Sequence, residues 1–203
     1  MRLDRDLALA KYTGGRLHIP VLTTREGVER VRVAKEDGLN VTCATTAHHL
    51  HYRDTDLAQF DGTLKVTPPF RSEDDRQALR EAVLDGTIDM VVSDHRPWDL
   101  EHHNVEFMLS PDGIASIEAV FSVAVTALEA ETKSDELAQL ISALTTGPRA
   151  IFGLPTPVIA EGQPAELTWF HPGKEAGKIR ISGGANRLIY GEKLRGSVLG
   201  TFR

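Results

Sequence analysis

The segment Val91-Val92-Ser93-Asp94-His95-Arg96-Pro97-Trp98 decides the fold. An apolar run passes straight into Ser-Asp-His, so a strand ends on a carboxylate and an imidazole. The C-terminal edge of a parallel sheet is where α/β proteins keep their chemistry. Upstream the pattern repeats. Ile88 to Ser93 follows a helical stretch from Ser72 to Leu84, with Ser72 as its N-cap. Leu64-Lys-Val-Thr67 reads as a strand stopped by Pro68-Pro69. Leu39 to Thr45 is a further β-branched strand. Before it, Thr24 to Asp37 carries Val28, Val31 and Ala34 on one helical face and closes at Gly38. Arg16 to Leu22 is a short buried strand after a helix over Arg5 to Tyr12, which stops at Thr13-Gly14-Gly15. The sum is four parallel-type strands separated by helices or helical loops.

Beyond Asp94 the spacing predicts a long loop, a helix from Gly113 to Ala130 and a second from Ser134 to Leu144, closed by Thr146-Gly-Pro148. From Ile151 onward Pro and Gly punctuate short strands at Glu166 to Phe170 and Ser197 to Phe202. Residues 1–150 therefore read as an α/β unit and 151–203 as a small β-rich appendage. Four βα units are half of a (β/α)8 barrel of the TIM type, which takes ~250 residues. With 203 residues the chain is too short to close one. An open half leaves strand edges unpaired. The expectation is an oligomer, or a barrel completed by an N-terminal half that precedes this sequence in a longer protein.

Composition narrows the function classes. The chain is 41% hydrophobic and 26% charged, as in ordinary globular proteins. A net charge of −6, with Lys and Arg scattered, argues against a nucleic-acid partner. The single cysteine, Cys43, can form no internal disulfide, and Met-Arg-Leu-Asp-Arg-Asp is too charged for a signal-peptide core. Both point to the cytoplasm. No apolar run approaches the ~18 residues of a membrane span.

Imidazoles and carboxylates recur at the strand ends: His18 in the first strand, His48-His49-Leu-His51 after the second, and Asp94-His95 after the last. Such groups can hold zinc with a position left open for water. Each also has a plainer reading. His18 suits a hydrogen-bonded core residue, His102-His103 a solvated loop pair, and Asp94 a helix cap or a partner of His95.

Taken in order, Thr13-Gly-Gly-Arg-Leu-His18, Gly38-Leu-Asn-Val-Thr42, Thr46-Ala-His-His-Leu50, Lys65-Val-Thr-Pro-Pro-Phe-Arg71, Asp85-Gly-Thr-Ile-Asp89 and Ser93-Asp-His95 resemble the second half of a dihydroorotase of the amidohydrolase superfamily. Pro164-Ala-Glu-Leu-Thr-Trp-Phe170 and Gly191-Glu-Lys-Leu-Arg-Gly-Ser-Val198 resemble its closing segments. The resemblance implies a zinc-dependent (β/α)8 barrel that hydrolyses the cyclic amide of dihydroorotate, reversibly, in pyrimidine biosynthesis. It implies that Asp94 matches the aspartate that accepts the proton of the attacking water and passes it to the leaving nitrogen. His48 matches a zinc-binding histidine, and Asp94 is also a possible ligand. Thr67, Arg71 and Trp98 fall at substrate-contact positions.

The departures from the family pattern carry as much information. The family's His-Ile-x-His strand reads His18-Ile-Pro-Val21, so Val21 stands in place of a ligand. Residues three apart on a regular strand face opposite ways, so His18 does not replace it. Asn-Pro-Pro-Leu-Arg becomes Thr67-Pro-Pro-Phe-Arg71, and Asp-His-Ala-Pro-His becomes Asp94-His-Arg-Pro-Trp98. His48 and Asp94 fall short of the three protein ligands that a catalytic zinc takes. Two expectations follow: a dihydroorotase-type enzyme whose activity needs more than this chain, or a non-catalytic homologue that serves as an assembly partner of aspartate transcarbamoylase.

Overall fold

The computed structural model describes residues 2–130, 133–177, 186 and 193–202. Its centre is a parallel sheet of order β1-β2-β3, with β1 over Leu17–Ile19, β2 over Val41–Thr46 and β3 over Met90–Val92. Leu17 registers with Val41, Ala44 with Met90 and Thr46 with Val92. Five of the six β2 residues are buried, Thr42 being the exception, as a strand covered on both faces requires.

Helix α1 (Arg2–Thr13) leads into β1. Helix α2 (Arg25–Glu36) is the first crossover and buries Val28, Val31 and Ala34, the face its spacing predicts. Thr24 caps it by accepting from the Gly27 amide. The short helix α3 (Ala47–His51) follows β2 without a loop. Helix α4 (Glu73–Leu84) is capped by Ser72 and buries Ala78, Leu79, Ala82 and Val83. The turn α5 (Leu100–His103) is followed by α6 (Val120–Leu128), α7 (Ser134–Leu144) and α8 (Thr146–Phe152). A two-stranded antiparallel ribbon closes the described chain, β4 over Leu167–Glu175 and β5 over Arg195–Phe202. It lies against α6. Phe121 meets Phe170 edge-on at 4.9 Å, and the Ser122 hydroxyl donates to the Gly196 carbonyl. A Cβ at Gly196 would sit 3.2 Å from the Phe121 ring, so the strand approaches the helix closely there.

Four expectations are corrected. Leu64–Thr67 is no strand. It holds the end of a 3-10 turn at Gly62–Leu64 and then irregular chain, because Pro68 and Pro69 offer no amide to a ladder. The sheet therefore has three strands among the described residues, extended by an isolated parallel bridge between His95 and Ile114. The helix predicted over Gly113 to Ala130 starts only at Ile117, as a 3-10 turn leading into α6. Before it, Gly113 takes φ 133 and Ile114 pairs with His95. Thr146-Gly-Pro148 opens a helix instead of closing one, since proline in a first turn forfeits no hydrogen bond. Strand β1 is irregular at its end: Ile19 registers with Cys43, yet Leu22 donates to the neighbouring Ala44 carbonyl at 2.7 Å, so Pro20 and Val21 bulge out. In the tail motif, Gly191 and Glu192 lie outside the described residues.

Candidate functional site

The C-terminal ends of β2 and β3 bring the predicted groups together. Thr46, the last residue of β2, caps α3 by accepting from the His49 amide at 3.1 Å, and this turns His48 and His49 inward. Both imidazoles are buried, packed on each other and on Phe70, with His48 and His49 centroids 4.9 Å apart.

They are wired differently. His49 Nε2 lies 3.0 Å from the Pro68 carbonyl, which can only accept, so Nε2 carries the proton and Nδ1 accepts from the Thr46 hydroxyl at 2.7 Å. Burial pushes its pKa down to about 4, outweighing the opposing pull of the Pro68 and Pro69 carbonyls and of Asp94. Neither ring nitrogen of His48 has a hydrogen-bond partner among the described residues. Burial first, then His49 and Arg96, hold His48 neutral with a pKa well below the ordinary histidine value. An imidazole with two unsatisfied nitrogens at 1% exposure is costly in a packed core unless a water, ion or ligand meets it.

Asp94 follows β3 after Ser93. Its φ of 43 lies in the left-handed region, which turns the side chain at the strand end, at a cost of ~1–2 kcal/mol for an L-residue. The carboxylate accepts from Arg96 Nε at 3.1 Å and is one-fifth exposed. Arg96, not His95, is thus its partner. His95 Nδ1 accepts from the Ser116 and Ile117 amides at 3.0 and 3.2 Å and so anchors the next segment.

The substrate-contact positions are spread around this centre. Thr67 donates its hydroxyl to Asp112, and Trp98 Nε1 donates to the Asp112 carbonyl at 3.2 Å. Arg71 is exposed, and its charge adds to the forces that keep His49 neutral. His18 is not in the site. It pairs with the Thr42 hydroxyl at 2.8 Å and packs on Phe152, lower in the sheet, and burial lowers its pKa against the pull of Asp89. His51 stacks edge-on with Tyr52, and exposed His102 pairs with Asp99.

Two residues that organise the site, Asp112 and Asn186, escape sequence reasoning, and a third, Arg96, is only half legible there. Asp112 joins Thr67 to Lys65, whose ammonium also reaches the Phe107 and Ser110 carbonyls at 3.0 and 2.6 Å. Asn186 is fully buried: Nδ2 donates to the Arg96 and Gly113 carbonyls at 2.7 and 2.9 Å, and Oδ1 accepts from the Trp98 amide at 2.8 Å. It pins the loop behind Asp94. Arg96 carried a signal, because it replaces a small residue of the family pattern directly after Asp-His.

His48 has the free nitrogens that a metal ligand needs, but no group of three or more His, Cys, Asp or Glu side chains converges among the described residues. His49 spends both ring nitrogens and His95 its Nδ1 on hydrogen bonds, and Oδ1 of Asp94 accepts from Arg96. The residues of this chain do not by themselves fit the zinc that the resemblance implies. No helix among the described residues is long and apolar enough to cross a membrane.

Comparison with known proteins agrees with this architecture. The amidohydrolase family profile matches residues 21–203. A dihydroorotase of Anaeromyxobacter dehalogenans is 39% identical over 165 residues, which is 80% of this chain and 38% of that protein. One from Bacillus subtilis is 39% identical over 176 residues, covering 87% and 41% respectively. One from a Geobacillus species is 37% identical over 205 residues, covering 100% and 48%. The chain spans less than half the length of these relatives. Among solved structures, a dihydropyrimidinase from Brevibacillus agri superposes with a TM-score of 0.83 at 23% identity, over 98% of this chain and 46% of that one. An inactive dihydroorotase-like domain of a Chaetomium thermophilum CAD-like multifunctional protein gives 0.72 at 20% identity, over 98% and 53%. At such identities these two speak for the fold alone, an α/β arrangement of the TIM-barrel type. With a profile match over nearly all of its residues and relatives near 39% identity, the chain belongs to the amidohydrolase family and is dihydroorotase-like within it.

Proposed function

We propose that the chain is the C-terminal half of a dihydroorotase-type barrel, residues 1–150 forming the barrel segment and 151–203 a β-rich appendage, in a cytoplasmic protein. By descent it is a cyclic amidohydrolase of pyrimidine biosynthesis acting on dihydroorotate, and alone it does not turn over. The Asp94–Arg96 ion pair carries this reading. A carboxylate that takes a proton from water needs a lone pair aimed at that water, and here Arg96 Nε engages Oδ1 and sets a fixed positive charge beside it. Asp94 is still the proton acceptor we would assign if a partner or an N-terminal half completes the site. His48 is then the ligand this chain contributes, and Thr67, Arg71 and Trp98 face the substrate.

A second reading is favoured by the changes at Val21, Thr67 and Trp98, which together alter one ligand position and two pocket positions. In it the protein is a non-catalytic homologue that assembles with aspartate transcarbamoylase. The two are separated by assaying dihydroorotate hydrolysis with the 203-residue chain and, in parallel, its co-sedimentation with aspartate transcarbamoylase. We expect no hydrolysis by the chain alone. Turnover abolished by Asp94→Asn would sink the claim of inactivity, and failure to co-sediment would sink the assembly role.

A further inference from the structure

We propose that the Arg96 guanidinium takes the electrostatic place of a divalent cation at Asp94 and keeps metal off this strand end. The inference rests on the reading of a dihydroorotase-type site and deepens it by naming the group that displaced the metal.

The backbone that carries this contact is held on three sides, while the Arg96 side chain itself is 48% exposed. The Arg96 amide donates to the Ile114 carbonyl at 2.9 Å, and its own carbonyl accepts from buried Asn186 at 2.7 Å. On the third side lies Gly113, where an added Cβ would come within 2.4 Å of the Arg96 Cβ, so the backbone there leaves room only for glycine. Gly113 also donates its amide to the Lys65 carbonyl at 2.9 Å, which ties it in turn. With the backbone so bracketed, the stem leads back along the loop and Nε reaches Asp94 Oδ1 at 3.1 Å.

The left-handed backbone at Asp94 brings the carboxylate to meet it. A divalent ion approaching the Asp94 carboxylate would meet the guanidinium charge already held 3.1 Å from Oδ1. The carboxylate, which without a metal would be a lone charge at a half-buried strand end, is neutralised from within the chain. Val21 and Arg96 are thus two halves of one change: the first removes a donor to the metal and the second supplies the missing positive charge.

The test is zinc affinity, measured by competition with a chromophoric chelator, with cobalt absorption as a second readout. Wild type, Arg96→Gln, Arg96→Lys and the double variant Arg96→Gln/Asp94→Asn are compared, with circular dichroism to check folding. Arg96→Gln should bind zinc more tightly than wild type by about tenfold or more, from relief of a like-charge contact at short range. Arg96→Lys, which keeps the charge, should behave as wild type, and the double variant should lose the gain. Wild type that binds as tightly as Arg96→Gln overturns the proposal, as does a gain in Arg96→Lys equal to that in Arg96→Gln, or no gain in any variant. If Arg96→Gln does not fold, Arg96→Met, which keeps most of the stem, takes its place. The outcome is independent of turnover: a wild-type chain that hydrolyses dihydroorotate without metal would defeat inactivity and leave the Arg96 assignment intact, and an inactive but zinc-loaded wild type would do the reverse.

Discussion

Acid should destabilise this fold well before its carboxylates titrate, and His49 sets how much. In the folded chain its pKa is about 4 against an ordinary 6.5. The native state disfavours a proton because the ring is buried, which outweighs the pull of the Pro68 and Pro69 carbonyls and of Asp94; Nε2–H faces Pro68, and Nδ1 accepts from Thr46, whose oxygen already receives the His49 amide. A proton on Nδ1 would leave two donors aimed at one oxygen. The folded pKa is depressed, so between the two values the unfolded chain binds the extra proton. Stability is complete above about pH 6.5 and falls as pH drops toward 4. At pH 5 the loss spans one and a half pKa units at ~1.4 kcal/mol each, or about 2 kcal/mol from His49 alone. His48 and His18 act in the same direction. Urea unfolding of wild type and His49→Gln at pH 7 and pH 5 isolates the term, because contributions from other groups cancel in the difference. The stability advantage of wild type over the variant should shrink by about 2 kcal/mol between the two pH values. A difference that stays constant would refute the role of His49 as a buried neutral group.

Two further outcomes test the frame around the site. Gly147→Ala should cost about 1–3 kcal/mol, since the new Cβ would fall 2.5 Å from the Asp89 carbonyl oxygen just before β3. Gly200→Ala, where nothing lies within 4 Å, should be close to neutral in the same thermal melts. Asn186→Leu should cost more than about 3 kcal/mol, because the Arg96 and Gly113 carbonyls and the Trp98 amide all lose a buried partner. It should also shift Trp98 fluorescence, a change that general destabilisation alone would not produce in the folded baseline.

The parallel sheet, its crossover helices and the cap residues Thr24 and Ser72 were legible in the sequence, because each rests on local chemistry: a hydroxyl before a helix, β-branched runs, a glycine after the last turn. Asp94 was legible for the same reason, standing at the mouth of its strand. Leu64–Thr67 misled because its residue types suit a strand while the two prolines after it deny a partner ladder. Helix α8 misled through Pro148, which reads as a stop unless its place in a first turn is known. Asn186 could not be read at all, since it acts on Arg96 from 90 residues away. The counter-charge role of Arg96 was half visible: the substitution stands out in the sequence, but only the structure shows that its guanidinium reaches back to Asp94.

If Arg96 balances Asp94 because the metal is gone, restoring the missing donor cannot by itself restore the site. Val21 sits in the bulge where β1 leaves the sheet, between Ile19, level with Cys43, and Leu22, level with Ala44, so a histidine there projects from an irregular segment near the top of β2. Val21→His alone would add a third donor to His48 and Asp94 while the guanidinium still holds Asp94 Oδ1. Any zinc bound at Asp94 would have to approach a fixed positive charge. Arg96→Gln alone frees the carboxylate but leaves two donors, fewer than a tight zinc site takes. The two substitutions should therefore be strongly non-additive, the double variant binding zinc more tightly than the product of the single effects predicts by about tenfold or more. Chelator-competition titrations of the four proteins in the cycle measure this directly. Strict additivity would mean that Val21 and Arg96 act on separate sites, and that Arg96 is a surface charge that happens to lie near Asp94.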